Sequence, residues 1–396
     1  MKKRILALVL AGCMALSLAA CGGDTSSASS ASEETPTTSD ATSEAATDEN
    51  TGSTGTTDVA FVTDVGNIDD QSFNQYTWQG VQDFCSANGL NANYYRPTED
   101  SDAARIEQVD NAVNDGAKAV VMAGYLFAST LEEVQSKYPD IAFLALDVST
   151  DDMKSAAGAS DDADVSEYVT SNTALITYKE EQAGYLAGYA AVADGYTDLG
   201  FLGGMAVPAV IRYGYGFVQG ADAAANELGI SDVNIKYWYS GTFEASDEIV
   251  TTMDGWYSTG TQVVFACGGQ VGNSCAIAAE TNGGKMIGVD VDQSNLGDFV
   301  VTSAMKALAN SVNVALTDCM GNNWTWSEAY AGQQSVLGAA EDCVGLPMET
   351  SKFTNFTQEQ YDALFSAIQS GELVVDDSFD QNVTPTVTAI TVDYQG

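Results

Sequence analysis

The chain has 396 residues, 45% of them hydrophobic, and 14 Lys and Arg against 55 Asp and Glu give a net charge of −41. That charge excludes a nucleic-acid partner, whose phosphates need basic patches, and the absence of Lys or Arg between Arg4 and Arg96 excludes a basic membrane-surface helix. No histidine is present, so Ser-His-Asp and Cys-His catalysis, His-bound zinc and a His proton shuttle are unavailable, which favours binding over turnover.

Lys2, Lys3 and Arg4 precede a short, mostly apolar run over residues 5–18 that ends in Leu18-Ala19-Ala20-Cys21. The run is too short to span a membrane and ends in small residues, so residues 1–20 read as an export signal. Leu-Ala-Ala-Cys resembles the lipobox of bacterial lipoproteins, which implies acylation of Cys21. Leu10-Ala11-Gly12-Cys13 also fits that pattern, but leaves an apolar region of about six residues against the usual ~7–15. Residues 21–57 read as the acylated Cys and a tether. Between Gly22 and Thr57, 18 of 36 residues are Ser or Thr, with no aromatic, Leu, Ile or Val. Nothing there can form a core, so disorder is expected, with a flexible-coil span of roughly 30–36 Å.

From Asp58 the pattern alternates. Val59-Ala60-Phe61-Val62 is an apolar strand feeding Thr63-Asp64-Val65-Gly66. A helix over 72–88 follows, with Phe73, Tyr76, Val81, Phe84 and Cys85 near helical spacing and Gly89 as its stop. Strand 91–96, helix 102–115, strand 119–123, a helix to Lys137 and strand 141–147 complete a first unit. The rhythm restarts after Tyr178 with helix 179–193, strand 199–202, a helix to Leu228 and strand 233–239. A helix near 249–257, strand 263–266, helix 274–281 and strand 286–290 follow, then a tail of mixed elements. Strands that are apolar throughout and separated by helices indicate parallel sheets, here in two open α/β units of roughly 120 residues each. The expected lobes are 58–177 with part of 300–330, and 178–299 with part of 331–396. Ligands of such sheets bind beyond the carboxyl ends of the strands, where Asp64, Gly124, Asp147, Gly203, Gly268 and Asp290 fall. Cys85, Cys267, Cys275, Cys319 and Cys343 form no C-x-x-C pair, so they read as small buried thiols rather than a zinc or redox site, with a Cys319–Cys343 pairing left open.

The run from Val62 to Gln75, Val-Thr-Asp-Val-Gly-Asn-Ile-Asp-Asp-Gln-Ser-Phe-Asn-Gln, resembles the opening signature of the basic membrane protein (BMP)/PnrA-like lipoproteins, substrate-binding proteins of ABC importers. The resemblance continues, in family order, through Tyr178-Lys-Glu-Glu-Gln-Ala-Gly-Tyr-Leu-Ala-Gly188, Gly200-Phe-Leu-Gly-Gly-Met205 and Gly216-Phe-Val-Gln-Gly220. It extends to Ile287-Gly-Val-Asp-Val-Asp-Gln293, Thr302-Ser-Ala-Met-Lys306 and Ser370-Gly-Glu372. It implies a type I periplasmic-binding-protein fold, two Rossmann-like α/β lobes with parallel sheets joined by a hinge. It also implies capture of a purine nucleoside by lobe closure and delivery to an ABC permease powered by a separate ATPase. The protein would be a monomer held by its lipid anchor on the outer face of the cytoplasmic membrane, with no cofactor, metal or catalytic activity.

By resemblance, Phe73, Asn74, Asp147, one Asp of the pair Asp290 and Asp292, and Lys306 are the family's ligand contacts. The chemistry suits a nucleoside. Phe73 can stack on a purine, Asn74 offers a donor and an acceptor, and Asp147 can accept from a ring N–H. Asp290 or Asp292 can accept from ribose hydroxyls while Lys306 balances the charge. Gly268 and Gly269 allow close backbone approach, and Asp64 stands at the end of the first strand. Tyr125, Phe127, Tyr213, Tyr215 and Phe217 are candidates for a second ring, with Phe217 put forward. Competing readings make Phe73 a core residue, Ser72 or Asn74 a helix cap, and Asp147 a strand-to-loop turn. With no basic cluster for phosphate, a nucleoside is preferred to a nucleotide. Alternatives are riboflavin or another small solute on the same fold, and a ligand sensor or surface adhesin. A nucleoside hydrolase is disfavoured, because Val62 replaces the first Asp of the calcium motif that residues 63–70 resemble and no His leaving-group acid exists.

Overall fold

In a computed structural model of the protein the described residues are 56–64 and 66–395; the expected export signal, Cys21 and the expected tether up to residue 55 lie outside them. The chain first runs β1 (Val59–Val62), α1 (Phe73–Asn88), β2 (Ala92–Tyr95), α2 (Asp102–Asn114), β3 (Ala119–Ala123), α3 (Phe127–Lys137), β4 (Ala142–Leu146), α4 (Thr150–Ala156) and β5 (Thr173–Tyr178). It continues with α5 (Glu180–Asp194), β6 (Asp198–Gly203), α6 (Pro208–Leu228), β7 (Val233–Tyr239), α7 (Asp247–Ser258), β8 (Val263–Cys267), α8 (Val271–Asn282), β9 (Lys285–Asp290) and β10 (Val300–Lys306). The tail resolves into α9 (Leu308–Gly321), β11 (Gln333–Leu337), β12 (Val344–Gly345), α10 (Gln358–Gln369) and β13 (Ile390–Gln395).

Among the described residues these strands form two sheets, ordered β11-β5-β4-β3-β1-β2 and β12-β10-β9-β8-β6-β7-β13. Every pairing is parallel except β10 with β12. The strands are apolar throughout because both sheet faces are covered. Val59 and Phe61 of β1 face one buried cluster and Ala60 and Val62 another, the two-residue alternation of a strand used on both sides. The second sheet does the same, with Phe201 and Phe265 on one face and Leu202, Val264 and Ala266 on the other.

The two sheets repeat one order, so that β1, β3 and β4 of the first correspond to β6, β8 and β9 of the second. The chain passes between them at 178–180, at 306–308, where β10 of the second sheet leads into α9 packed on α1, and at 337–344. Tyr178 Oη and the Ser311 hydroxyl are hydrogen-bonded to each other, tying the first passage to the second.

Helices α5 and α6 cross unusually closely. A Cβ at Gly184 or Gly188 would collide with the carbonyl oxygens of Tyr213 or Phe217, and one at Gly216 or Gly220 with those of Glu181 or Tyr185. The Gly-rich sequence of α6 therefore serves backbone-to-backbone packing. All five described cysteines are buried free thiols, so Cys319 and Cys343 are not joined.

Candidate functional site

A cleft of about 780 Å³, counting its mouth, lies at the carboxyl ends of both sheets, the place where open α/β sheets bind ligands. Asp64 and Gly124 follow β1 and β3, and Asp147 follows β4. On the other side Gly268 follows β8 and Asp290 ends β9. Corresponding strands thus deliver corresponding residues: Gly124 and Gly268 have φ of 121° and 147°, and Asp147 and Asp290 have φ of 57° and 67°. Left-handed backbone at two non-Gly residues is uncommon and turns both carboxylates into the cleft.

Asp70 organises one side. Its carboxylate accepts from the backbone N–H groups of Ser72 (2.9 Å), Asn74 (2.9 Å) and Gln75 (3.0 Å) at the start of α1, so the helix cap comes from Asp70 rather than Ser72 or Asn74. Ser72 Oγ is freed to donate to Asp290 Oδ2 at 2.5 Å, and Gln293 Nε2 donates to Gln71 O at 3.0 Å. Both bonds join the first-sheet side to the second. Asn74 Nδ2 donates to Asp64 (3.1 Å) and Asp70 (3.2 Å). Asn74 Oδ1 is left buried without a partner. Asp64 also accepts from Gly66 N at 2.6 Å, yet burial pushes its carboxyl up to about 6.

Lys306 organises the other. Its ammonium lies 2.6 Å from Asp147 Oδ2, 3.5 Å from Glu180 Oε1 and 3.7 Å from Asp290 Oδ1. It also stands 4.5 Å from the centre of the Phe73 ring. Burial pulls this ammonium down, and Asp147, Asp290 and Glu180 more than offset it, holding it above its ordinary value. Burial lifts Asp147 to about 6 against the pull of Lys306, and lifts Asp290 as well. Asp147 Oδ1 has no partner. Glu180 is held from behind by Arg212 Nε at 2.7 Å, and burial beside Glu180 pushes Glu181 up to about 8.

The structure thus brings Asp64, Phe73, Asn74, Asp147, Gly268, Gly269, Asp290 and Lys306 to one cleft. Two expected residues fall elsewhere. Phe217 is fully buried with its ring centre 5.4 Å from that of Phe265, drawn into the core by the close α5–α6 crossing. Asp292 lies past the left-handed turn at Asp290 and faces away, accepting from Ser294 N (2.9 Å) and Thr350 Oγ1 (2.7 Å). Among the other ring candidates, Tyr213 lines the cleft and Tyr125 stands at it half-exposed. Phe127 is in the core, and Tyr215 Oη donates to Asp380 O at 3.1 Å. Sequence reasoning missed Phe243, a cleft ring in the loop after β7 that lies against Gly204 and Gly268. Only its isolation in a Gly-containing loop at a strand's carboxyl end marks it. Among the described residues no group of three or more His, Cys, Asp or Glu is placed to hold a metal ion. Asp64 and Asp70 are engaged by backbone N–H groups and Asn74.

The family model for PnrA-like ABC transporter substrate-binding proteins matches residues 57–378. A Lactococcus lactis subsp. cremoris protein named ABC transporter nucleoside-binding protein BmpA is 27% identical over 276 residues, 64% of this chain and 72% of that protein. A Listeria innocua protein named CD4+ T-cell-stimulating antigen is 26% identical over 369 residues, 87% of this chain and 91% of its own. Among solved structures, an ABC transporter solute-binding protein from Aeropyrum pernix K1 superposes with a TM-score of 0.67 at 20% identity, covering 82% of this chain and 95% of that one. Another from Conexibacter woesei gives 0.62 at 20% identity, covering 81% and 99%. At that identity the likeness shows the fold, a two-lobed periplasmic-binding-protein type.

Proposed function

We propose that this chain, which belongs to the PnrA-like family of ABC transporter substrate-binding proteins, captures a purine nucleoside between its two lobes. The observation that carries the reading is that a ring from each sheet's side, Phe73 and Phe243, lines the same cleft as the buried, unpartnered Asn74 Oδ1 and Asp147 Oδ1. A purine offers faces to the rings and an N–H or amino edge to Asn74 Oδ1 and Asp64. A ribose offers hydroxyls to Asp147 and Asp290, with Lys306 between them. The name of the Lactococcus relative, a nucleoside-binding protein, supports the same class.

Charge narrows the ligand further. Among the described residues, Asp64, Asp70, Asp147 and Asp290 line the cleft against Lys306 alone among basic residues, so a phosphate would meet carboxylates at close range and nucleotides are disfavoured. The chain would act from the outer face of the cytoplasmic membrane, anchored as a monomer through acylated Cys21. It would pass its ligand to a permease driven by a separate ATPase, the tether keeping receptor and permease at high effective concentration.

Thermal unfolding of residues 58–396 with inosine, guanosine, adenosine, cytidine, riboflavin and ribose tests the ligand class. A ligand at a hundred times its Kd stabilises the native state by about 2.7 kcal/mol, a shift of several degrees. Shifts with purine nucleosides that Phe73→Ala and Asp290→Ala weaken are expected. A shift with riboflavin alone changes the ligand, and no shift in protein freed of co-purified ligand overturns the nucleoside reading.

A further inference from the structure

We propose that the Tyr213 hydroxyl is a specificity contact of the cleft, hydrogen-bonding a sugar oxygen of the bound nucleoside and selecting ligands that carry an intact ribose. This rests on the nucleoside reading above. Tyr213 lies in the second turn of α6, is 1% exposed and lines the cleft, and its Oη is buried without a hydrogen-bond partner. Three neighbouring buried phenols are satisfied. Tyr178 Oη is paired with Ser311, Tyr237 Oη with Tyr239 Oη at 2.7 Å, and Tyr215 Oη with Asp380 O. A buried polar group without a partner is costly and uncommon in native proteins, and a ligand oxygen would offset that cost.

The hydroxyl is held in place. The Tyr213 ring sits edge-on to Phe265 at 5.8 Å and 87°, and its backbone carbonyl faces Gly184 in the α5–α6 crossing. Its ring centre is 5.8 Å from Lys306 Nζ, whose partner Asp147 presents the unpartnered Oδ1. One cleft thus carries an acceptor-only carboxylate oxygen, a phenol and an ammonium. A sugar hydroxyl matches this set, donating its proton to Asp147 while its oxygen accepts from Tyr213. Burial, with Asp290 and Glu180 nearby, holds the phenol well above its ordinary value, so it remains a donor. The amide of Asn74 belongs to the separate group with Asp64 and Asp70, which leaves the base edge to that group.

The test is calorimetric titration of wild type and Tyr213→Phe with the tightest-binding of inosine, guanosine and adenosine, and with its 2′-, 3′- and 5′-deoxy analogues. The substitution keeps the ring, so the ligand-free unfolding midpoint should stay unchanged or rise. A structural hydrogen bond would instead be lost and lower it. Tyr213→Phe should weaken the parent nucleoside about tenfold. One deoxy analogue should lose its penalty relative to the parent, the coupling a double-mutant cycle reads. Unchanged affinity for the parent, or equal weakening of the parent and all three analogues, overturns the role of Tyr213 while leaving the nucleoside reading intact. Failure of all three parent nucleosides to bind wild type overturns both.

Discussion

Lys306 stands among Asp147, Glu180 and Asp290 with 2% of its side chain exposed. Replacing it by Met leaves three buried carboxylates facing one another, a change of the kind that costs about 3–5 kcal/mol. Protonation relieves such repulsion, so Lys306→Met should lose most stability at pH 7.5 and clearly less at pH 5. Urea denaturation at both pH values measures this, and an equal loss at both would contradict it. Wild type carries the same sign more weakly. Burial raises Asp64 and Asp147 to about 6 and Glu181 to about 8. The folded state then binds more protons than the unfolded chain between about pH 4 and 8, so unliganded stability falls as pH rises through that window. Nucleoside affinity should run the other way and drop below pH 6, because protonation of Asp64 and Asp147 removes the charge that would strengthen their hydrogen bonds to the ligand and turns part of their acceptor capacity into a donor. Calorimetric Kd values at pH 5 and 7.5 that agree would contradict this assignment. At this scale the sequence disclosed chemistry better than direction. Asp290 and Asp292 are two residues apart in one motif, and only the positive φ of Asp290 sends one into the cleft and the other towards Thr350. Phe217 and Phe243 are equally aromatic, and tertiary packing alone decides which lines the cleft.

The crossing of α5 and α6 inverts the usual effect of glycine in a helix. Gly to Ala in an exposed helix interior gains up to about 1 kcal/mol, and Gly255 in α7, with nothing near its missing Cβ, should show that gain. Gly188→Ala instead drives a methyl into the Phe217 carbonyl and should lose about 1–3 kcal/mol through overpacking. Denaturation midpoints moving in the same direction for both variants would refute the close crossing. Long apolar strands and periodic helices were readable from residue pattern up to β9. β5 escaped because it joins α5 with no Gly or Pro between them. β11, Gln-Gln-Ser-Val-Leu, is a half-exposed edge strand whose pairing with β5 comes from far along the chain. The tail was illegible for the same reason: its strands complete sheets begun up to about 160 residues earlier, β13 pairing with β7.

At the scale of the molecule, two of the three passages between sheets meet the charge cluster itself. Glu180 begins the helix after the first passage and Lys306 ends the strand before the second. Lys306 both lines the cleft and borders a passage between the sheets, so occupancy of the cleft is expected to be coupled to lobe position. Small-angle scattering should show the radius of gyration falling when a purine nucleoside is added, and an unchanged radius at saturation would argue against closure. The repeated strand order was legible as two α/β units. The correspondence of Asp147 with Asp290 was not, because it lies in backbone conformation and sheet position rather than in shared sequence.

Calorimetric titration of guanosine, inosine and adenosine into ligand-free protein, beside cytidine and guanosine monophosphate, tests the central claim most directly. One-site binding of at least one purine nucleoside is expected, with cytidine and the monophosphate much weaker. Binding of the monophosphate as tight as that of guanosine, or no heat from any purine nucleoside, would contradict it.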